Sequence, residues 1–162
     1  GVCWRICMLV SAEIKLRTLE VTDLDFLFSL ENDKSLWSVS GTTEPFSLTQ
    51  LANYISHAKQ DIAIAEQFRF VIDWQGKAIG CIDLYEYNFK KQNAGVGIVI
   101  LKEYRRKGFA KQSLTLLIKY AWKKLDLKQL HTGILSDNKA SLALFQSVGF
   151  EMVRQNNYVL KR

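Results

Sequence analysis

One stretch of the chain constrains its fold more than any other: an apolar run, a basic turn and an amphipathic helix follow one another. Residues 94–101 read AGVGIVIL, with no polar side chain on either face, as expected of a strand inside a sheet. Beyond the turn, apolar side chains recur at three- and four-residue spacing, which predicts a helix over 108–125. A strand over 129–135 then completes a strand–helix–strand crossover, and such crossovers join parallel strands.

The remaining patterns fit one domain. The 162 residues lie in the usual size range of a single domain and can bury a core without disulfides. We therefore expect an α/β fold, a single domain with a mixed central sheet of about six to seven strands flanked by about four helices. The other predicted elements are strands over 13–19, 68–74, 78–87, 150–154 and 158–161, and helices that begin near Asp23, Ser47 and Asn138.

The first twelve residues are interpreted as an N-terminal extension (1–12) that precedes the domain over 13–162. No apolar run approaches the roughly 18 to 20 residues that span a bilayer. Cys3, Cys7 and Cys81 complete no zinc-binding pattern, so we expect reduced thiols and no metal. Together these features predict a soluble, cytoplasmic protein without membrane contact.

Charge is divided unevenly along the chain. Residues 102–128 hold nine Lys and Arg against two acidic residues, a net charge of +7. Residues 13–89 hold six Lys and Arg against twelve acidic residues, a net charge of −6. This division suggests one anionic and one cationic ligand, although solvated charged faces would produce the same totals.

The basic turn at 105–110 has the composition of an anion site. The first N–H groups of a helix lack intrahelical partners, and the helix dipole favours an anion there. Gly108 leaves the main chain accessible, but the turn matches neither a P-loop nor a dinucleotide fingerprint. From spacing alone, a plain basic turn and a phosphate cradle both remain open. The candidate anion-binding residues are Arg105, Arg106, Lys107, Gly108, Phe109 and Ala110.

Two motifs carry a resemblance to a known family. Residues 97–110 resemble the acyl-CoA signature of the GNAT acetyltransferase superfamily, Gln/Arg-x-x-Gly-x-Gly/Ala between a strand and a helix. The run NKASLALF from Asn138 to Phe145, followed by Gly149-Phe150, resembles the second motif of the superfamily. The resemblance extends over residues 13–162 and is greatest to spermidine acetyltransferases and to enzymes that acetylate the N-terminal amines of ribosomal proteins.

The resemblance implies acetyl-CoA as the co-substrate. The amides of residues 105–110 would hold the CoA diphosphate, and Asn138 would touch the cofactor arm. Ser141 would form a hydrogen bond with the thiol sulfur. The structural alternatives are a helix cap for Asn138 and a surface hydroxyl for Ser141. Main-chain groups of Ile98, Val99 and Ile100 would pair with the pantetheine arm.

The chain departs from the family pattern at two positions. Phe145 stands where many members carry the Tyr that protonates the leaving thiolate, and Phe has no proton to give. Gly95 stands where relatives often carry a Glu that accepts the proton of the amine. A different base is then required, unless the amine arrives deprotonated.

Three residues of one predicted strand are substitute bases. Strand alternation places Asp83 and Tyr85 on one face and Glu86 on the other, beside Ile82 and Leu84. Glu86 matches a Glu of the spermidine-acetylating relatives and is the preferred candidate. His57 and His131 have no acid or nucleophile at triad spacing and are interpreted as structural.

The implied function is an acetyl-CoA-dependent N-acyltransferase that acetylates a primary amine. Direct attack in a ternary complex is expected, because Cys81 has no adjacent base that would support an acyl-enzyme. Glu31, Asp33 and Glu44 favour a cationic acceptor such as a polyamine, a protein N-terminus or an aminoglycoside. A homo-oligomer is compatible with the sequence.

The sequence leaves two alternative functions to consider. Phe145 and Gly95 motivate a catalytically weakened acyl-CoA-binding regulatory domain. A nucleic-acid binder is disfavoured, because Tyr120 and Trp122 belong to a helix whose apolar face is already assigned to the core. No nucleic-acid partner is therefore expected.

Overall fold

A computed structural model describes residues 9–34, 44–58 and 62–162, without the side chains of residues 63 and 64. Over these residues the chain forms a seven-stranded mixed sheet in the order β1-β2-β3-β4-β5-β7-β6. Strand β4, the apolar run of the sequence, lies in the middle of the sheet as predicted. The strands are β1 Ile14–Thr18, β2 Phe68–Trp74, β3 Lys77–Asn88, β4 Asn93–Ile100, β5 Gln129–Gly133, β6 Glu151–Arg154 and β7 Asn157–Lys161.

Four helices of eight or more residues lie in the described part of the chain, so the predicted α/β fold class is confirmed. Sequence analysis missed three short turns, because three or four residues are too few to show a helical period. The helices are α1 Leu24–Glu31, α2 Leu48–His57, α3 Phe109–Lys123 and α4 Lys139–Ser147. The missed turns are Val21–Asp23, Ile62–Ala65 and Lys102–Tyr104.

Side-chain caps fix where two of these helices begin. Ser47 Oγ accepts a hydrogen bond from the Gln50 main-chain N–H (3.1 Å), and Gln50 Oε1 accepts one from the Ser47 N–H (2.8 Å). Asn138 Oδ1 accepts from the Ser141 N–H at 3.2 Å. A cap of this kind stabilises a helix by about 1 kcal/mol and satisfies a main-chain donor that the helix itself cannot.

The sheet is covered on both faces. Leu114 and Leu117 of α3 are fully buried in one core cluster with Ile82, Leu84 and Val96. The opposite face is covered by α1 and α2, whose buried residues Leu27, Leu51 and Ile55 pack with Val71 of β2. Burial of one such side chain stabilises the fold by about 1.5–3 kcal/mol.

Strands β4 and β5 are paired over a short length only. Their parallel register comprises Asn93 with Gln129, Ala94 with Leu130, and Gly95 with His131. Beyond Gly95 no further pair joins the two strands among the described residues, and the gap holds the larger of the two cavities described below. The crossover predicted from the sequence therefore positions an opening inside the sheet.

The segment before β1 is attached to the domain. The Leu9 carbonyl accepts from the Leu16 N–H at 2.8 Å, and Ser11 Oγ donates to Gln112 Oε1 of α3 at 2.7 Å. The predicted boundary at residue 13 stays a prediction, since residues 1–8 lie outside the described part. Much of the segment between Asp33 and Pro45, for which the sequence predicts a loop, also lies outside it.

Candidate active site

Two cavities meet at one wall of the sheet. The larger, of about 630 Å³, lies in the gap between β4 and β5 and reaches the start of α4. The smaller, of about 180 Å³, lies between α2 and strands β2 and β3. Three residues line both cavities: Arg69, Asp83 and Tyr85. A reaction between a ligand of one cavity and a ligand of the other would take place beside this shared wall.

Two glycines of β4 make room for that wall. Tyr85 lies opposite Gly95 in the β3–β4 register, and Asp83 lies opposite Gly97. A Cβ atom added to Gly95 would lie 2.2 Å from Cε2 of Tyr85, closer than any real side chain approaches. A Cβ at Gly97 would lie 3.8 Å from the same ring, an ordinary contact. The Tyr85 ring therefore occupies the space that a side chain at position 95 would need.

Tyr85 is held on several sides. The rings of Tyr85 and His131 meet in a T-shaped arrangement, with the ring centroids 6.0 Å apart and the planes at 89°. Thr132 of β5 lies next to the phenol, and its hydroxyl donates to the Val96 carbonyl at 2.9 Å where the two strands separate. Burial and the nearby Glu86 carboxylate raise the pKa of Tyr85, which a hydrogen bond with Thr132 only partly opposes.

Glu86 does not lie where strand alternation predicts. Its φ is +50°, in the left-handed region, and the β3–β4 register shifts between Tyr85 and Asn88. This bulge turns the side chain outward, where it is 72% exposed, whereas Ile82 and Leu84 are fully buried. Its Oε2 lies 3.2 Å from Nε2 of His131. The predicted face of Glu86 is wrong for this reason; its predicted role stays a prediction.

A half-buried ion-pair cluster forms the other part of the shared wall. Arg69 Nε and Nη2 donate to the two carboxylate oxygens of Asp83 at 2.8 and 3.0 Å, and Nη1 donates to Glu31 of α1. Burial tends to lower the pKa of Arg69, but the charge of Asp83, its hydrogen bonds and smaller contributions from other neighbours together leave this pKa well above its usual value. Two carboxylates therefore face one guanidinium, so the three side chains carry a net charge of −1, with Glu31 on the side of the larger cavity.

Cys81 also lines the larger cavity. Burial raises the pKa of its thiol to about 12, so the nucleophilic thiolate is rare near neutral pH. The expectation that no acyl-enzyme forms at Cys81 stays a prediction.

The basic turn leads into α3 through left-handed main-chain conformations. Arg106 has a φ of +62° and Gly108, the N-cap of α3, a φ of +82°. Alternating conformations of this kind direct successive N–H groups toward one point, where an anion can bind. The Phe109 side chain is only 3% exposed and anchors the turn, so Phe109 and Ala110 offer main-chain N–H groups. Arg105 Nε donates to the Ile100 carbonyl at 2.9 Å.

Alternate residues of β4 direct their main-chain groups into the gap. The carbonyls of Val96 and Ile100 accept side-chain hydrogen bonds from Thr132 and Arg105, respectively. Because direction alternates along a strand, the main chain of Ile98 also faces the gap, whereas that of Val99 faces β3. Val99 lines the larger cavity with its side chain.

Three predicted residues of α4 meet in the larger cavity. Asn138 and Ser141, both half-buried, line it together with Phe145. The Phe145 ring is 3% exposed and meets Phe150 edge-on, with centroids 5.0 Å apart.

Sequence analysis missed the roles of Arg69 and Thr132 in forming these cavities. The regular hairpin register from the turn at Gln75-Gly76 sets Arg69 opposite Ile82, and only the bulge between Ile72 and Asp73 brings it opposite Asp83. No signal in the local sequence marks this bulge. His131, interpreted from the sequence as structural, lies beside Tyr85 and Glu86.

Two features are absent from the described residues. No group of three or more His, Cys, Asp or Glu side chains there is arranged to hold a metal ion. No helix in those ranges combines the length and the apolar character needed to cross a membrane.

Comparison with known proteins identifies relatives of this chain. A family model described as an acetyltransferase (GNAT) domain matches residues 13–151. The spermidine N(1)-acetyltransferase of Vibrio cholerae serotype O1 is 29% identical over 143 residues, covering 87% of this chain and 80% of the relative.

Solved structures share the fold. Spermidine N-acetyltransferase from Vibrio cholerae, in complex with CoA and spermine, matches with a TM-score of 0.81 and 23% identity, covering 93% of this chain and 96% of the other. A dodecameric structure of that enzyme matches with a TM-score of 0.74 and 24% identity, covering 93% and 95%. The ribosomal L7/L12 α-N-protein acetyltransferase RimL matches with a TM-score of 0.78 and 17% identity, covering 94% and 92%.

Proposed function

Since the chain belongs to the GNAT acetyltransferases, we propose that it transfers the acetyl group of acetyl-CoA to the primary amine of a cationic acceptor. The observation that carries this proposal is the wall shared by two cavities. The larger cavity lies in the gap between β4 and β5. The cluster of Arg69, Asp83 and Glu31, whose net charge is negative, contributes to the shared wall.

Acetyl-CoA would lie along the gap. The main-chain N–H groups of residues 105–110 would bind the diphosphate, and exposed Arg106 and Lys107 would add positive charge. Ile98 would pair with the pantetheine arm, because its main chain faces the gap. Asn138 uses Oδ1 as the helix cap, which leaves Nδ2 for the cofactor arm.

The acceptor would bind beside Asp83 and Glu31. A positively charged amine fits this wall, since the two carboxylates exceed the single guanidinium in charge. A polyamine is the first candidate class, supported by the Vibrio cholerae spermidine acetyltransferase, whose structure contains CoA and spermine. A protein N-terminal amine is the second, supported by the fold of RimL.

The chemistry would be direct attack of the amine nitrogen on the thioester carbonyl. The ammonium form must first lose a proton, and we assign this step to Glu86 acting through water beside His131. Ser141 would then donate a hydrogen bond to the leaving sulfur. Cys81 takes no covalent part, because its thiol stays protonated.

The test is thiol release from acetyl-CoA against a panel of polyamines, peptide N-termini and aminoglycosides, with CoA affinity measured separately by calorimetry. We expect turnover with at least one cationic amine. Glu86→Gln and Ser141→Ala should lower kcat about 100-fold or more while acetyl-CoA affinity is retained. Binding of CoA without turnover on any amine would contradict the proposal and favour a regulatory acyl-CoA-binding domain.

We also propose self-association and a cytoplasmic location. Self-association is supported by the dodecameric structure of the Vibrio cholerae relative and by exposed Met152 and Val153 on the edge strand β6. A cytoplasmic location is supported by the free thiol of Cys81. Sedimentation of the purified protein tests the first proposal.

A further inference from the structure

We infer that the phenol of Tyr85 carries the proton from the acceptor nitrogen to the departing sulfur. This inference rests on the proposed acetyl transfer and adds to it the residue that completes proton transfer at the reacting atoms. The supporting observations are the position of Tyr85 in the shared wall, the space left for it at Gly95, and the polar groups around its hydroxyl.

The position of the phenol is defined from three directions. Tyr85 lines both cavities, so it borders the cofactor cavity and the cavity on the α2 side. Its ring fills the space above Gly95, where a Cβ would lie only 2.2 Å from Cε2. Thr132 of β5 lines the same cavity, and its hydroxyl donates to the Val96 carbonyl where β4 and β5 separate. The phenol therefore lies at the point where β4 and β5 begin to separate.

The other groups near this point are unsuited to the task. Arg69 and Asp83, the two other described residues that line both cavities, are committed to each other by a bidentate ion pair. Phe145 and Gly95 carry no proton to transfer. Among the described residues that line both cavities, Tyr85 is thus the one that supplies a hydroxyl.

The environment keeps the phenol in its proton-donating form. Burial and the carboxylates of Glu86 and Asp83 raise the pKa of Tyr85, so it is a neutral acid at physiological pH. The titratable and charged groups that face it or share its cavities are Cys81, Asp83 and Glu86 of β3, Arg69 of β2, His131 of β5, Glu31 of α1, and Tyr54 and His57 of α2.

The step balances without any other reactant. Attack of the neutral amine forms the N–C bond and gives a tetrahedral intermediate with a positively charged nitrogen and a negatively charged oxygen. As the carbonyl reforms, the C–S bond breaks and its electron pair passes to sulfur. Tyr85 gives its proton to that sulfur, and the resulting phenolate takes one proton from the nitrogen. The products are the amide, free CoA thiol and the regenerated phenol.

The first experiment compares Tyr85→Phe with wild type, using Tyr87→Phe as the matched control. Tyr87 lies on the same strand, is buried, and lines neither described cavity. We expect Tyr85→Phe to lower kcat about 100-fold or more, with the KM for acetyl-CoA and the melting temperature unchanged. An unchanged kcat in Tyr85→Phe would overturn the inference and leave the proposed function intact. Inactivity of the wild type on every amine would instead reject the proposed function.

The second experiment separates acid catalysis from a structural role. Replacement of Tyr85 alone by 3,5-difluorotyrosine keeps the ring and the hydroxyl but makes the phenol more acidic. If the protonated phenol is required, the decline of kcat at high pH should move to lower pH in the fluorinated protein. A pH profile that coincides with that of the wild type would overturn the inference, because a merely structural hydroxyl is insensitive to this change.

Discussion

Tyr85 and Gly95 face each other across strands β3 and β4, and the tyrosine ring occupies the volume of any side chain at position 95. The sequence departs from its family at position 95, which lacks the expected Glu, and at position 145, which lacks the expected Tyr. The pairing of Tyr85 with Gly95 bears on both departures. Loss of the expected carboxylate at position 95 coincides with an aromatic hydroxyl brought to the same place from the neighbouring strand. We therefore regard positions 85 and 95 as one exchange, in which the phenol of Tyr85 takes the place of the carboxylate expected at position 95.

The first prediction tests this steric relationship. Gly95→Ala would place a methyl group 2.2 Å from Tyr85 Cε2, so the ring or the strand must shift. Overpacking of this kind costs about 1–3 kcal/mol of unfolding free energy. Gly97→Ala on the same strand is the control, because its methyl group would meet the ring at 3.8 Å and should change stability far less. Urea denaturation of both variants measures the difference.

A double variant checks the cause. Removal of the ring by Tyr85→Ala should relieve the strain of Gly95→Ala, so the two changes should cost less together than the sum of their separate effects. Additive effects would contradict a direct contact between residues 85 and 95.

The second prediction concerns the basic turn. Gly108→Val should weaken CoA binding, because a branched side chain in the left-handed conformation strains the turn whose N–H groups would hold the diphosphate. Gly76→Val is the matched control, since Gly76 has the same φ of +82°, also lies in open space, and occupies the β2–β3 turn. Both variants should lose comparable stability, whereas calorimetry should find weaker CoA binding only in Gly108→Val.

Most of the fold could be predicted because its signals are local. The apolar run of β4, the helical period of α3 and the caps at Ser47 and Asn138 each depend on a few neighbouring residues. The turn at Ile62–Ala65 could not be predicted, because a single helical turn leaves no periodic pattern.

The site was less predictable because it depends on register and main-chain geometry. Strand alternation correctly predicted that Asp83 and Tyr85 lie on one face of the sheet. It gave the wrong face for the side chain of Glu86, because that residue has a left-handed conformation. Nothing in the local sequence marks that bulge. The importance of Tyr85 follows from its contact with Gly95, which is ten residues away along the chain and adjacent across the sheet.

The third prediction concerns stability in acid. Arg17 donates to both oxygens of Asp23 at 2.8 Å and to Asp73 at 2.9 Å. Burial opposes ionisation of Asp23, but the hydrogen bonds from Arg17 and the Glu20 main chain outweigh it and hold its pKa below the usual 3.8. The lowered pKa means that this carboxylate stabilises the fold above pH 3.8, and that the contribution is lost as the pH falls through the folded-state pKa.

Asp23→Asn should therefore lower the free energy of unfolding by about 3 kcal/mol near neutral pH. The variant should also lose less stability than the wild type when the pH falls from neutral to strongly acidic. The exposed residue Asp25 supplies the control, and Asp25→Asn should leave the pH dependence almost unchanged. Denaturant unfolding at a series of pH values measures both. Equal pH dependence in wild type and Asp23→Asn would show that this carboxylate does not control acid stability.

The last prediction concerns the residues of α4 that line the larger cavity. Phe145 and Ser141 are four residues apart on one helical face, and both line the cavity in which we place the thioester. Phe145→Tyr would add a phenol there, with Ser141 as a hydrogen-bonding neighbour. If Tyr85 already supplies the proton, this phenol should change the wild-type kcat little. In the Tyr85→Phe background it should restore kcat about tenfold or more, because general acid catalysis contributes about 100- to 10,000-fold and the new donor needs to recover only part of it. A double-mutant cycle of kcat, with acetyl-CoA affinity measured for each protein, isolates this coupling. The same change in kcat in both backgrounds would mean that residues 85 and 145 do not serve the same proton transfer.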